Sequence, residues 1–384
     1  MTSFTFNTTR SIINEIGGIK RIGEVCSQLR FKRPLIVTDP GIVKVGLLDK
    51  LTAGLDGTGL DYALFTEVVA DPPVETIMSC LEMAREHGAD GVIGYGGGSS
   101  MDAAKLVALL LRSDEKLEDI YGVNNVKGER LPLILIPTTA GTGSEVTAVA
   151  IVTTGPSTKS GVVSPVLYPD VALLDAELTT GLPPIVTAAT GVDAMVHAIE
   201  AYTSSIQKNP YSDMLAVKAL ELLSKNLKPV IEDGTNLEAR QNMLFGACLA
   251  GQAFANAPVA AVHALAYPLG AKYHVPHGTS NALLLPHVLR FNSSHAKEMY
   301  AELAPICFDG VPDGDEAEIS AWFCDQLEQL SKDVGLPQKM REAGVQANDL
   351  QSLAEEAMLQ ERLLKNNPRK VTVEDAFKIY EAAF

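Results

Sequence analysis

The sequence predicts two domains, an α/β domain over residues 1–181 and an all-helical domain over residues 182–384. In the first half, short runs that are apolar throughout alternate with helical patterns, which is typical of a parallel sheet covered on both faces. After about Leu182 these runs stop, and the rest of the chain has the pattern of helices separated by Pro, Gly and Asn. The length of 384 residues also favours two cores over one.

The first domain contains apolar runs that predict strands at 35–38, 62–65, 91–94, 133–136 and 171–174. Helical patterns lie between the early runs, over 73–87 and 100–112. Val, Thr, Gly and Pro alternate over residues 145–165, which predicts a small β-hairpin.

The second domain is predicted to consist of helices that end at Pro, Gly and Asn signals. These helices are expected over 185–204, 211–227, 237–257, 259–269, 296–307, 316–334, 348–359 and 373–383.

The composition narrows the possible partners and compartment. The net charge is −16, from 47 acidic against 31 basic residues, so we expect no nucleic-acid partner and no anionic membrane surface. The N-terminus lacks a basic region followed by an apolar run, and no apolar stretch reaches the ~20 residues of a membrane helix. The five cysteines are scattered without a C-x-x-C pair, which favours a reducing cytoplasm.

A glycine-rich loop follows the predicted third strand and opens a helix. Gly96, Gly97 and Gly98 allow close approach of a ligand, and the helix N-terminus would offer free N–H groups to a pyrophosphate. The run is neither G-x-G-x-x-G nor a Walker A loop, and the alternative is a tight turn that binds nothing.

Two further features favour a dinucleotide at this loop. Asp39 ends the first predicted strand, where a carboxylate would accept ribose hydroxyls and repel a 2′-phosphate, which favours NAD over NADP. The alternative for Asp39 is a helix N-cap. The Thr- and Gly-rich loop over 137–147 follows another strand and is expected to line the other side of the cofactor.

A set of possible metal ligands lies in the second domain. Asp193 and His197 are four residues apart in a helical pattern, so both lie on one face, and His263 and His277 follow. One carboxylate and three imidazoles suit a four-coordinate divalent ion. The alternative is hydrogen-bonded core histidines, but four of the seven histidines fall within 263–287. A metal that binds an alcohol oxygen would prepare hydride transfer to a nicotinamide.

At these residues the chain resembles the iron-containing (group III) alcohol dehydrogenase family. The resemblance covers essentially the whole chain and rests on motifs at 35–39, 96–105, 137–147, 188–200, 263–270, 276–278, 285–287 and 367–369. It implies a dehydroquinate-synthase-like fold, NAD as cofactor, a metal that is usually Fe²⁺ and sometimes Zn²⁺, a small alcohol or aldehyde substrate, and a homodimer.

Matched position by position, the resemblance implies a function for individual residues. The metal ligands are Asp193, His197, His263 and His277. The cofactor-binding residues are Asp39, Gly96, Gly97, Gly98, Ser99, Asp102, Thr138, Thr139, Thr142, Thr147 and Lys159.

The chain departs from the family at several positions. Tyr267 stands where many members have a histidine assigned to proton relay, so we hypothesise that Tyr267 or His274 relays the proton. Asp71 stands where relatives commonly have Asn. Ala148 and Leu363 replace polar side chains of related enzymes, and Phe254 is retained, which predicts a preference for simple primary alcohols over vicinal diols.

Together these features predict a metal-dependent oxidoreductase that transfers a hydride between a primary alcohol or aldehyde and NAD(H). One alternative is a hydroxyacid–oxoacid transhydrogenase that retains its nicotinamide cofactor. Another is a non-enzymatic protein on the same fold, which would be expected to lose the ligand set or the glycine loop.

Overall fold

The computed structural model describes residues 3–155 and 158–384. It contains two compact units: the first is Asn7–Gly181, and the second is Leu182–Phe384 together with residues 3–6. Residues 3–6 pack within the second unit through Phe4 and Phe6, whose ring centroids lie 5.9 and 5.4 Å from that of Tyr211.

The unit Asn7–Gly181 alternates strands and helices. Its strands are β1 Ser11–Asn14, β2 Pro34–Val37, β3 Ala63–Phe65, β4 Gly91–Gly96, β5 Gly122–Val123, β6 Leu133–Pro137, β7 Val149–Thr153, β8 Lys159–Val163 and β9 Val171–Leu174. Its helices are α1 Ile22–Gln28, α2 Pro40–Lys44, α3 Leu47–Leu55, α4 Val74–His87 and α5 Gly98–Arg112.

The main sheet has the strand order β1-β9-β6-β4-β2-β3, and every pair in it is parallel. Leu35 and Val37 point into a core with α4 and α5, whereas Ile36 points into a second core with α1 and α3. Because helices cover both faces, the strands are apolar at successive positions. The predicted parallel sheet is confirmed.

Two smaller features complete this unit. The hairpin predicted within 145–165 is present as the antiparallel pair β7 and β8, with residues 156–157 outside the described residues. The edge strand β1 was not predicted, because only Ile12 and Ile13 of its four residues are apolar and both of its ends are exposed.

The second unit is helical, and the structure assigns no strand in residues 182–384, all of which it describes. Its helices are α6 Pro184–Tyr202, α7 Pro210–Glu232, α8 Leu237–Asn256, α9 Ala261–Tyr273, α10 His277–Cys307, α11 Glu316–Asp333, α12 Leu350–Ala357, α13 Glu361–Leu364 and α14 Val373–Ala383. Side chains cap several of them: Asn209, at a predicted helix end, caps α7, and Asp315 caps α11.

The long helix α10 corrects the sequence analysis, which predicted a helix only over 296–307. The helix is continuous from His277 and contains Pro286, a residue that normally interrupts a helix. Leu283, Leu284 and Leu285 are buried beside it, so tertiary packing outweighs the local penalty of about 3 kcal/mol. As a result His277 is the first residue of a helix rather than part of a loop.

Among the described helices, none is by itself both long and apolar enough to cross a bilayer. The pair Leu237–Asn256 and Ala261–Tyr273 meets the length and composition criteria only when taken together, and it is bent by 105°.

A reciprocal amide pair joins α10 to the segment before α14. Asn292 Nδ2 donates to Asn367 Oδ1 at 2.9 Å, and Asn367 Nδ2 donates to Asn292 Oδ1 at 2.7 Å, with both residues buried. We expect Asn367→Ala to lower the free energy of unfolding by about 2 kcal/mol, because it leaves a buried amide without its partner. Urea denaturation measures this. The Asn292→Ala/Asn367→Ala double variant should lose less than the sum of the single losses, and strictly additive losses would contradict the pairing.

Candidate metal centre and dinucleotide loop

Three helices of the second unit bring together the predicted metal ligands. Asp193 and His197 lie one turn apart on α6, His263 lies in the first turn of α9, and His277 begins α10. One carboxylate oxygen and three ring nitrogens, one from each residue, all lie within 4.8 Å of one another. The set is compact enough for one ion to touch all four side chains.

Burial divides the cluster into a closed side and an open side. Asp193, His197 and His263 are 2, 4 and 2% exposed, whereas the side chain of His277 is 45% exposed. Burial by itself would raise the pKa of Asp193, but the three imidazoles and the Asn281 amide outweigh it and hold that pKa below its usual value. The carboxylate is therefore ionised at neutral pH, as a metal ligand must be.

The side chain of Asn281 tests whether these residues fit a cation. It lies one turn after His277 and is fully buried. Its Nδ2 lies 2.5 Å from Asp193 Oδ1 and 3.2 and 3.3 Å from Nε2 of His263 and of His277. Its Oδ1 has no hydrogen-bond partner among the described residues. The side-chain NH₂ group of Asn281 is electron-poor, and three predicted ligand atoms converge on it. A cation requires the same environment, so the residues fit a metal ion.

Two residues of this centre were missed by the sequence analysis. Asn281 lies four residues after His277, and Glu200 lies three residues after His197, so each shares a helix face with a ligand. That spacing was the available signal. Glu200 is 4% exposed, and its Oε2 lies 2.7 Å from His263 Nδ1.

The two candidates for proton relay occupy different positions. Tyr267 lies one turn after His263 on α9, and its ring centroid is 6.0 Å from that of His277. His274 follows the last residue of α9, in a left-handed conformation with φ of 54°, and is exposed. Tyr267 is therefore placed beside a ligand at the open side of the centre.

The predicted substrate residues are distributed over both units. The ring of Phe254 stacks on His197 with a centroid distance of 4.3 Å. Leu363 is buried in α13, which packs against α9. Ala148 is buried in the first unit, just before β7. Of the two predicted substrate residues in the helical unit, Phe254 is the one that contacts a predicted metal ligand, His197.

In the first unit, the predicted cofactor residues follow three neighbouring strands. Asp39 follows β2, the glycine loop follows β4, and Thr138, Thr139 and Thr142 follow β6. Parallel strands bring these loops to one edge of the sheet, which is where such sheets bind ligands. The loop after β6 lies directly against the glycine loop. Thr138 N donates to Gly96 O at 3.0 Å, and a Cβ added to Gly98 would lie only 3.1 Å from Thr142 Cγ2.

The glycine loop leaves the first turn of α5 open. Gly97 is the N-cap residue and supplies no side-chain cap, so the first N–H groups of α5 are available to a ligand. Gly96 has φ of 149°, and a Cβ there would lie 2.8 Å from Ser100 Oγ. Both backbone conformation and space therefore require glycine at position 96.

Asp39 caps a helix at the edge of this loop. Its Oδ1 accepts from the N–H groups of Gly41 and Ile42, which confirms the N-cap alternative, and its Oδ2 accepts from Ser100 Oγ at 3.1 Å. Each carboxylate oxygen retains acceptor capacity, so a role at the ribose stays a prediction.

Asp102 and Thr147 belong to a buried network around Lys105. Lys105 Nζ donates to Ser144 Oγ, Thr147 Oγ1 and the carbonyl of Val149. Asp102 accepts from Ser144 Oγ at 2.6 Å and from a backbone N–H of β7 at 3.0 Å. Within the described residues these side chains already hold the helix α5 against the loop before β7.

Lys159 lies on the same side of the unit as the glycine loop. Its Nζ lies 2.6 Å from Asp71 Oδ1, and the backbone N–H of Asp71 donates to Ser99 Oγ at 3.3 Å. Asp71 itself has a positive φ of 52°. The acidic residue that replaces the common Asn thus forms an ion pair next to the loop.

An open helix N-terminus at the edge of a parallel sheet and a cluster of one carboxylate and three imidazoles are the combination expected of a metal-dependent oxidoreductase. The chain belongs to the iron-containing alcohol dehydrogenase family. The family model "Iron-containing alcohol dehydrogenase" matches residues 9–176, and "Fe-containing alcohol dehydrogenase family, C-terminal" matches residues 187–384. The predicted family, its dehydroquinate-synthase-like fold and the oxidoreductase class are confirmed.

Individual relatives span nearly the whole chain. Long-chain-alcohol dehydrogenase 1 of Geobacillus thermodenitrificans is 41% identical over 371 residues, which are 96% of this chain and 93% of that protein. The structure of an alcohol dehydrogenase from Oenococcus oeni matches with a TM-score of 0.96 and 34% identity over all of both chains. A sulfoacetaldehyde reductase from Bifidobacterium kashiwanohense in complex with NAD⁺ matches with a TM-score of 0.89 and 28% identity over 100% of this chain and 99% of that one.

Proposed function

We propose that this protein interconverts primary alcohols and aldehydes with NAD(H), using one divalent metal ion, Fe²⁺ or Zn²⁺. The observation that carries the proposal is the compact set of four side chains, Asp193, His197, His263 and His277. The side-chain NH₂ group of Asn281 donates into this set, to Asp193 Oδ1. When bound, the metal supplies Lewis-acid polarisation of the substrate oxygen. Zn²⁺ and Fe²⁺ both accept this donor set, and availability often decides between them.

The protein's own residues bind the reactants and move the proton. Phe254 covers the ring of His197 and provides an apolar wall. The hydroxyl of Tyr267 takes the alcohol proton and passes it to solvent on the side where His277 is exposed. In the other unit, the N–H groups at the start of α5 hold the pyrophosphate of NAD, and Asp39 accepts from a ribose hydroxyl.

The test is NADH formation from straight-chain primary alcohols by chelator-treated protein with Fe²⁺, Zn²⁺ or no metal added back. We expect release of NADH only when a metal is restored. Turnover that is equally fast without metal would overturn the metal-dependent mechanism. Exchange between an alcohol and an aldehyde without any free NADH would favour the transhydrogenase, an alternative that the named relatives do not favour.

The substrate proposal rests on the apolar residues that the sequence has at positions 148, 254 and 363, namely Ala148, Phe254 and Leu363. We propose simple primary alcohols and aldehydes as substrates, because apolar side chains do not satisfy a second hydroxyl group. Comparison of kcat/KM for butanol and 1,2-propanediol tests this. A higher kcat/KM for 1,2-propanediol would contradict it.

The loop offers a sharp test of cofactor binding through Gly97→Ala. A Cβ on Gly97 would meet only Thr139 Oγ1, at 4.0 Å, so the protein itself has room for the methyl group. We expect unchanged thermal stability but NAD⁺ binding weakened about tenfold or more, because the methyl group occupies the space of the pyrophosphate. Calorimetric titration with NAD⁺ measures this.

Gly181→Ala is the matched control, since a Cβ there would meet no atom within 4 Å and the residue lies outside the loop. It should change neither stability nor NAD⁺ affinity. If Gly97→Ala also leaves NAD⁺ affinity unchanged, the dinucleotide does not lie against this loop.

The proposal extends to assembly and compartment. We propose a homodimer, on the family resemblance, and a cytoplasmic location, because the five cysteines are scattered along the sequence and include no C-x-x-C pair. Sedimentation velocity of the purified protein tests the first, and fractionation of the cells that produce it tests the second.

A further inference from the structure

Glu200 connects the helix that carries two metal ligands to the helix that carries a third. It lies on α6 and is 4% exposed. Its Oε1 accepts from Val262 N at 2.7 Å, and its Oε2 accepts from Ala260 N at 2.8 Å and faces His263 Nδ1 at 2.7 Å. One buried carboxylate therefore makes three short hydrogen bonds to the start of α9.

The two backbone contacts provide a cap that the sequence of α9 does not contain. The N-cap residue Ala260 has no side chain that can accept a hydrogen bond. The N–H groups of Ala260 and Val262 would otherwise be buried without acceptors, and a negative charge at this end also matches the helix dipole. The cap fixes the first turn of α9 against α6, and thus the position of His263 relative to Asp193 and His197.

The third contact determines which nitrogen of His263 carries the proton. Both oxygens of Glu200 already accept backbone N–H groups, so the carboxylate acts as an acceptor and Nδ1 must be the donor. In the neutral ring this leaves the lone pair on Nε2, which faces Asp193 Oδ1 at 3.8 Å and Asn281 Nδ2 at 3.2 Å. The ring is thereby oriented with its metal-binding atom toward the other ligands.

We propose that Glu200 is a positioning residue of the metal centre, which selects the Nδ1–H tautomer of His263 and holds its Nε2 at the ion. This inference rests on the proposed function, since it requires that the centre binds a metal. Carboxylates that accept from a ligand histidine raise its basicity and fix its orientation, and their loss weakens metal binding.

The variant Glu200→Gln keeps the size of the side chain but removes its negative charge and one of its two acceptor oxygens. A glutamine has one acceptor oxygen, so its NH₂ group faces either Val262 N–H alone or both Ala260 N–H and His263 Nδ1. Facing the imidazole, it donates to Nδ1 and shifts the ring proton to Nε2, which removes the lone pair from the metal side. We expect the Zn²⁺ dissociation constant to rise about 10- to 100-fold.

Competition with a chromophoric chelator measures Zn²⁺ affinity on the full, chelator-treated chain. Two-bond ¹H–¹⁵N correlations of the histidine rings, recorded without metal, report the tautomer of His263 independently of any turnover. The expected result is Nδ1–H in the wild-type protein, and the spectrum of the Glu200→Gln protein shows which orientation its amide takes.

Asp175→Asn is the matched control. Asp175 is a buried carboxylate in the other unit that likewise accepts three N–H groups, from Gly17, Ile19 and Glu177, but it faces no histidine. It should lower stability and leave Zn²⁺ affinity unchanged. Should Glu200→Gln fail to fold, Glu200→Asp keeps the charge on a shorter side chain that cannot reach all three donors, and an intermediate Zn²⁺ affinity is expected.

A folded Glu200→Gln protein with wild-type Zn²⁺ affinity would overturn the inference and leave the proposed function intact. A wild-type His263 ring that carries its proton on Nε2 would overturn the inference as well. A wild-type protein that binds no Zn²⁺ or Fe²⁺ but shows the Nδ1–H tautomer would overturn the proposed function and support the assignment of Glu200 as the residue that orients His263.

Discussion

Asp193→Asn is expected to weaken metal binding on the order of 10³-fold or more and to abolish metal-dependent turnover. Asp193 is the only carboxylate among the four clustered ligand side chains and is 2% exposed. Asparagine preserves the size of the side chain but presents a neutral amide oxygen to the cation. The low-dielectric surroundings make the loss of this charge larger than it would be at the surface.

The measurement is metal content after dialysis, followed by titration of Fe²⁺ or Zn²⁺ into the chelator-treated protein. Asp213→Asn is the control in the same unit, since Asp213 is a partly buried carboxylate that pairs with Lys208 at 2.8 Å rather than with a histidine. It should retain metal and NADH formation. Retention of a full equivalent of metal by Asp193→Asn would show that the ion is held elsewhere.

The sheet of the first unit could be predicted because its strands are buried on both faces. Leu35, Ile36 and Val37 are all apolar since helices cover either side, and such runs are visible in a single sequence. The edge strand β1 has no such pattern. Its pairing with β9 is a contact between residues about 160 positions apart, which no local signal specifies.

The start of α10 could not be predicted for a similar reason. Pro286 signals a helix break locally, but the packing of the buried leucines around it decides the outcome. Gly278 contributes to the same packing, because a Cβ there would clash with the carbonyl oxygen of Ala189 on α6. The glycine after His277 thus allows α10 to approach the helix that carries Asp193 and His197.

The site shows the same division between local and long-range information. The i, i+4 pair of Asp193 and His197 is a local pattern and could be predicted. Glu200 and Asn281 act across helices, on His263 and Asp193 respectively, over sequence separations of 63 and 88 residues. Their contacts depend on how α6, α9 and α10 pack, so the sequence shows only that each shares a helix face with a ligand.

Tyr267→Phe is expected to lower kcat about 10²-fold with little change in KM, because the variant keeps the ring and removes only the hydroxyl that moves the proton. The position of Tyr267, one turn from His263 and 6.0 Å from His277 between ring centroids, favours it over His274. His274→Ala should leave kcat unchanged, since that residue is exposed beyond the end of α9. Steady-state kinetics over a range of pH measure both.

The discriminating control is Tyr273→Phe at the end of the same helix. Tyr273 hydrogen-bonds through its hydroxyl to Asp349, which is not one of the four clustered side chains, so this variant removes a hydroxyl that is already engaged elsewhere. It should keep the wild-type kcat. If His274→Ala lowers kcat and Tyr267→Phe keeps the wild-type kcat, the proton relay is His274 and not Tyr267. That result would show that a solvent-exposed imidazole reaches the reacting oxygen when substrate is bound. A loss in both variants would indicate a relay in which Tyr267 hands the proton to His274, and the pH profile of the single variants would then show which group donates to solvent.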